Sequence, residues 1–165
     1  MVHICDGDTY DLLVDGKAKK RIRILGIDAP EKGQDFSRKA TDYLKQLCYH
    51  KTVVIRYTEV DRYGRLLAVT TLPDGKDVGE EMTKAGFAWC FEKFSTSFDL
   101  RKSEAMAKSQ KNGLWKDPHP VEPWIERTLR KKGYNSQQIK QLKIEGKLNT
   151  EEDAKKMPRI KKAQP

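Results

Sequence analysis

The chain has 165 residues, of which 37% are hydrophobic and 35% charged, and carries a formal net charge of +9. That length holds one globular domain plus an appendage, and no run approaches the ~18 apolar residues that a membrane-crossing helix needs. Cys5, Cys48 and Cys90 are scattered and odd in number, which excludes a fully paired disulfide framework. They read as small buried hydrophobes, with one disulfide plus a free thiol left open.

The positive charge is uneven. Residues 1–115 hold 20 Lys and Arg against 17 Asp and Glu, whereas residues 116–165 hold 13 against 7. A basic chain suits a polyanionic partner such as nucleic acid.

In chain order, "HICDGDTYDLLVDG" opens the fold with strand character despite four carboxylates. Acidic residues resist burial in strands, so Asp6 and Asp8 belong either to a solvated turn or to a site for a cation. "TYDLLV" and "RIRILGI" flank the Gly-containing loop "DGKAKK", a hairpin signal. In "DFSRKATDYLKQLCYH", Phe36, Ala40, Tyr43, Leu44 and Leu47 recur with helical period, predicting an amphipathic helix. Two more strands are expected over Thr52–Val60 and Arg65–Leu72, joined by "DRYG".

Helices follow. "DVGEEMTKAG" carries an Asp77 cap and a closing Gly86, and Asp99–Gly113 has a cap and a terminal glycine. The prolines of "LWKDPHPVEPW" should break regular structure. Beyond them, "NSQQIKQLKIEG" and "TEEDAKKM" are short helical candidates, with Thr150 and Asp153 forming a capping box. Short strands with one interposed helix predict an α+β fold, mainly β: a five-stranded barrel of the OB type with about three packed helices. The expected division is a domain over 1–120 and a basic, partly helical extension over 121–165.

Three clusters carry chemistry: "DGDT" (6–9), "RILGIDAPE" (23–31) and "DRYGR" (61–65). Each alone reads as a turn. Together they supply the parts of phosphodiester hydrolysis. Asp8 and Asp28 are hard oxygen ligands for Ca²⁺ or Mg²⁺, and Glu31 can orient or deprotonate an attacking water. Arg23 and Arg65 match phosphate oxygens and neutralise developing charge. Arg23 and Asp28 lie five apart, so on a regular strand they would face opposite sides. They meet only if the strand distorts, and Gly26 predicts where.

The ordered set "DGDT", "RILGIDAPE", "DRYGR" and "LRKSEAMAKSQKNGLW" resembles the staphylococcal nuclease (thermonuclease) family over roughly residues 2–116. The resemblance implies an OB-fold barrel with three helices and a Ca²⁺-dependent endonuclease on DNA and RNA, leaving 3′-phosphate and 5′-hydroxyl ends. It implies Asp8 and Asp28 as calcium ligands with the backbone carbonyl of Ala29, and Asp6 behind them. It implies Glu31 for the attacking water, Arg23 and Arg65 for phosphate, and Tyr63 for a terminal phosphate. The family's substrate-side tyrosine pair is replaced near Phe91 and Phe94, which either stack on bases or pack as anchors. A nucleic-acid role for Trp89, Trp115 and Trp124 is set aside: Trp115 reads as a core residue and Trp124 as one that pins the tail to the barrel. A monomer is expected. No secretory signal is visible and the chain opens almost directly on a strand, so compartment stays open, with secretion or a periplasmic location favoured only if an upstream signal segment has been removed.

The alternative is a catalytically silent OB-fold module that binds nucleic acid or protein. Completeness of the five-residue set favours catalysis, because binding alone needs no such combination of carboxylates and arginines. A structural calcium-binding domain would leave both arginines without a role.

Overall fold

The computed structural model describes residues 3–94 and 97–160, in two compact units, Met1–Lys116 and Asp117–Pro165. Strands β1 (His3–Ile4), β2 (Thr9–Val14) and β3 (Ala18–Ile24) begin the first unit, followed by β4 (Ile27–Asp28) and helix α1 (Ser37–Cys48). Then come β5 (Val54–Val60), β6 (Leu66–Thr71), α2 (Val78–Lys84), β7 (Trp89–Cys90) and α3 (Phe98–Ser109).

The main sheet has the order β1-β2-β3-β6-β5, and β4 pairs with β7 in a separate two-stranded sheet. The barrel expected from the strand count is not closed. Among the described residues β1 and β5 are the two ends of the ladder and do not pair with each other. A β1 of only two residues offers β5 little backbone to close upon. The β2–β3 pairing is antiparallel and the β3–β6 pairing parallel. A register shift between Tyr57 and Glu59 bends β5.

Alternation assigns the faces of β3: Ile22 and Ile24 are buried in the core, whereas Lys19 and Arg21 are exposed. Tyr10, Leu12, Ile22, Ile24 and Ala68 of the sheet meet Ala40, Leu44 and Cys48 of α1 and Met82 of α2. Tyr10 is buried whole because its hydroxyl pairs with that of Thr70 at 2.8 Å. The cysteines are all free, with Cys48 and Cys90 buried and Cys5 exposed.

Helix α2 starts where expected, on Asp77, whose Oδ1 accepts from Glu80 N–H at 2.9 Å. Helix α3 does not start on Asp99: Ser97 caps it, accepting from Leu100 N–H at 3.4 Å, so Asp99 falls in the first turn. Trp89 and Trp115 pack edge to face at 5.5 Å, with Lys108 Nζ 4.6 Å from the Trp115 ring.

The second unit is more ordered than a partly helical extension. It contains α4 (Pro123–Arg130), α5 (Ser136–Ile144) and α6 (Glu151–Lys156), so the described residues hold six α-helices rather than about three. The prolines mislead because Pro123 sits at the first helical position, where its missing N–H would have no partner anyway. Capping boxes start α5 on Asn135 and α6 on Thr150. Val121, Ile125, Leu129, Ile139, Leu148 and Ala154 form a core of their own, with Trp124 packed against it.

Candidate active site

The strand break falls at Gly26. Beyond Ile24 the chain makes a turn through Leu25 and Gly26, the glycine at φ 80°, and resumes as β4. A left-handed residue here costs glycine little and would strain a residue with a Cβ. The turn moves Asp28 to the side of the sheet on which Arg23 projects. Arg23 Nη2 then stands 3.1 Å from Asp8 Oδ2 and 3.0 Å from Asp28 Oδ1, while Nη1 donates to the carbonyls of Ile24 and Ile27 at 2.8 Å each. One guanidinium thus ties together the end of β3, the turn, β4 and the β1–β2 connection.

Asp8 is held from three sides. Its N–H donates to Asp6 Oδ1 at 3.0 Å, its Oδ1 accepts from the Thr9 hydroxyl at 3.0 Å, and its Oδ2 accepts from Ala29 N–H at 2.8 Å. Gly7 permits the close packing of this connection, since a Cβ there would lie 2.7 Å from Ala29 Cβ and 2.8 Å from Ala40 Cβ. Burial, reinforced by the charge of Asp8, pushes the Asp6 carboxyl up to about 6.

The donor set fits a hard divalent cation in chemistry: two buried carboxylates, with the Ala29 backbone bonded directly to one of them. Among the described residues no three His, Cys, Asp or Glu side chains gather into a complete cage. A cation here would be held by Asp8 and Asp28.

Arg65 enters from the other side of β3. Parallel pairing sets Arg23 opposite Leu67, and Arg65 immediately precedes β6, one residue before the first paired position at Leu66. Asp61 anchors Arg65: its Oδ2 accepts from Nε at 2.7 Å and pairs with Nη2 at 2.7 Å, and its Oδ1 accepts from the backbone N–H of Tyr63 and of Arg65. The Tyr63 ring is largely exposed, with the guanidinium carbons of Arg62 and Arg65 at 4.9 and 5.4 Å from its centroid.

Glu31 lies three residues past Asp28 in a half-buried turn, where its N–H donates to Gln34 Oε1 at 2.9 Å and its C=O accepts from Gln34 N–H at 2.8 Å. Pairing of β4 with β7 brings Phe91 alongside, its N–H donating to Gly26 C=O at 2.8 Å. The side chain of Phe94 lies outside the described residues. Sequence reading overlooked Asp61 and Gln34 as supports of Arg65 and Glu31. The four-residue spacing inside "DRYGR" was the available signal for the first; for Gln34, a buried amide closing a turn, no pattern stood out.

Fold and site define an α+β domain that gathers two carboxylates on one arginine at a turn of an open sheet and holds a second arginine on the loop before β6. The chain belongs to the family described as staphylococcal nuclease homologue, whose pattern matches residues 21–117 and so includes Arg23, Asp28, Glu31 and Arg65. It is 45% identical over 127 residues to an "Uncharacterized endonuclease" of Escherichia coli O157:H7, covering 77% of this chain and 82% of the relative. It is 37% identical over 145 residues to a "Micrococcal nuclease" of Shigella flexneri, covering 82% and 83%. A "Staphylococcal-like nuclease CAN1" of Arabidopsis thaliana is 38% identical over 118 residues, 70% of this chain but 36% of the plant protein. No helix among the described residues is long and apolar enough to cross a membrane.

Proposed function

We propose that this protein is a calcium-dependent endonuclease that hydrolyses phosphodiester bonds of DNA and RNA to 3′-phosphate and 5′-hydroxyl ends. The observation that carries the reading is the convergence of Asp8 and Asp28 on Arg23, at 3.1 and 3.0 Å. Burying two carboxylates beside one arginine serves no packing purpose and costs desolvation, whereas it suits a site that takes up a cation and a phosphate together. The family membership and the nuclease names of its relatives support the same reaction class.

In this reading Asp8, Asp28 and the Ala29 carbonyl hold the ion, which when bound supplies Lewis-acid stabilisation of phosphate charge. Arg23 and Arg65 bind the scissile phosphate from two sides. Asp61 engages Nε and Nη2 of Arg65, so its Nη1 edge is the one offered to a phosphate oxygen. Glu31 orients the attacking water and accepts its proton. The water oxygen attacks phosphorus, the bond to O5′ breaks, and the leaving oxygen takes up a proton. Tyr63 and Phe91 border the substrate, and Phe94 is assigned beside them from sequence alone. The domain boundary near residue 120 and a monomeric state belong to the same reading, with nucleic acid, DNA or RNA, as the substrate partner.

The test is digestion of single-stranded DNA with added Ca²⁺ beside an identical sample in excess EGTA, with end-group analysis of the products. Calcium-dependent cleavage to 3′-phosphates is expected. A folded protein inert in both samples would refute catalysis and leave a silent binding module.

A further inference from the structure

Strand β3 continues the candidate site outward as a row of cations. Lys19, Arg21 and Arg23 alternate onto its outer face, while Ile22 and Ile24 between and beyond them are buried. Successive members of the row are about 6.8 Å apart along the strand, comparable to the advance of an extended nucleic-acid strand per phosphate. Arg23 is nearly enclosed, at 14% side-chain exposure, but Arg21 and Lys19 are open at 53% and 57%. The parallel register sets Ile22 opposite Leu66, so Arg65 is the residue just before the paired stretch of β6.

The row is held in place by Asp11, opposite Arg21 on β2. Its Oδ1 accepts from Arg21 Nε at 2.8 Å, its Oδ2 lies 3.4 Å from Arg21 Nη2, and Lys19 Nζ stands 2.8 Å from that same oxygen. A single carboxylate shared by two cations leaves one net positive charge and keeps both heads laid along the sheet. Of the other acids near this face, Asp8 and Asp28 pair with Arg23 and Asp61 with Arg65, while Asp6 also acts on the charge of Arg21 and Glu59 lies opposite Leu67 on β5. Leu13, opposite Lys19, adds an exposed apolar surface at the far end.

We propose that Arg21 and Lys19 form a phosphate-binding track that holds the strand flanking the scissile bond, extending the site along β3 by two phosphates. The occupant is single-stranded nucleic acid, recognised through its phosphates and without base readout. The inference rests on the nuclease reading for its register, and its test does not depend on cleavage.

A fluorescent oligothymidylate is titrated with the full-length protein in EGTA at several salt concentrations, and wild type is compared with Lys19→Gln/Arg21→Gln. Two lost contacts should make the slope of log affinity against log salt shallower by about 1.4, at roughly 0.7 per single-strand phosphate. Lys19→Arg/Arg21→Lys should keep the wild-type slope. The triple variant Asp11→Asn/Lys19→Gln/Arg21→Gln leaves no buried carboxylate unpaired and gives the same readout should the double variant fail to fold. A folded neutral variant with the wild-type slope overturns the track. A shallower slope in a protein that does not cleave with Ca²⁺ upholds the track and refutes the nuclease reading; cleavage with an unchanged slope does the reverse.

Discussion

Replacing Arg23 by methionine tests whether the site is built around one guanidinium. The side chain pairs with both Asp8 and Asp28, which are 10% and 1% exposed, and supplies donors to the carbonyls of Ile24 and Ile27. Methionine fills comparable space and provides neither charge nor donors. Removing one partner of a buried ion pair costs about 3–5 kcal/mol, because the remaining charge stays desolvated and unpaired. Exposed pairs, by contrast, are worth about 0–1 kcal/mol. Urea unfolding in EGTA, followed by tryptophan fluorescence, should show Arg23→Met destabilised within the buried range. The double variant Arg23→Met/Asp28→Asn should recover part of the loss, since one orphaned carboxylate becomes a neutral amide, and the coupling should fall at about 0.5–3 kcal/mol. A loss below about 1 kcal/mol, or a double variant as unstable as the sum of its singles, would refute the arrangement.

Arg65→Ala should lower turnover on single-stranded DNA by about a hundred- to a thousandfold while circular dichroism stays native, the range for losing one donor to transition-state charge. Near-normal turnover removes Arg65 from the chemistry. Hydrogen bonding from Arg21, then from Lys19, holds the Asp11 carboxyl down at about 2. A carboxyl depressed in the folded state stabilises above its unfolded value and loses that contribution as pH falls towards its folded one. The advantage of wild type over Asp11→Asn, on the order of 1 kcal/mol after solvent screening, should therefore be constant above about pH 5 and vanish near pH 2. Gly7→Ala should cost about 1–3 kcal/mol in urea unfolding, because its Cβ would meet Ala29 and Ala40 inside van der Waals contact. Asn135→Ala removes a capping box that starts α5 and should cost about 1 kcal/mol in the unfolding of the second unit.

Elements with strong periodicity or explicit end signals were legible. Helix α1 follows from Ala40, Tyr43, Leu44 and Leu47, and the start of α2 from Asp77. The break at Gly26 was legible too, since five residues between a cation and its carboxylate demand a distortion and only one residue between them tolerates φ 80°. Closure of the sheet was not legible, because strand count says nothing about which edges meet, and β1 proves to be two residues long. The core of the second unit was hidden for a different reason. Its apolar residues are sparse in the last two helices, as with Ile139 in α5 and Ala154 in α6, and Val121 and Leu148 lie outside any helix. Pro123 marked a helix start and was read as a break. At the site, residue types could be read but supports were missed: Asp61 left only its four-residue spacing to the Arg65 side chain it holds, and Gln34 acts through the backbone N–H of Glu31, which leaves no trace in composition.

The turn at Gly26 also bears on the order in which the protein assembles itself. Asp8, Arg23, Asp28, Ala29 and Glu31 all come from one stretch of 24 residues, joined by the β2–β3 hairpin and that turn. Closing such short loops is entropically cheap and fast. Arg65 reaches the site only through the parallel β3–β6 pairing, which joins Ile22 to Leu66 across a long excursion through α1 and β5. Contacts of that sequence separation are slow to form. The carboxylate half of the site is therefore set up locally and the second arginine is delivered late, so truncations at Ile24 should slow folding more than truncations at Leu66. A nascent chain would carry its acidic pocket well before it carried the means to act on a phosphate.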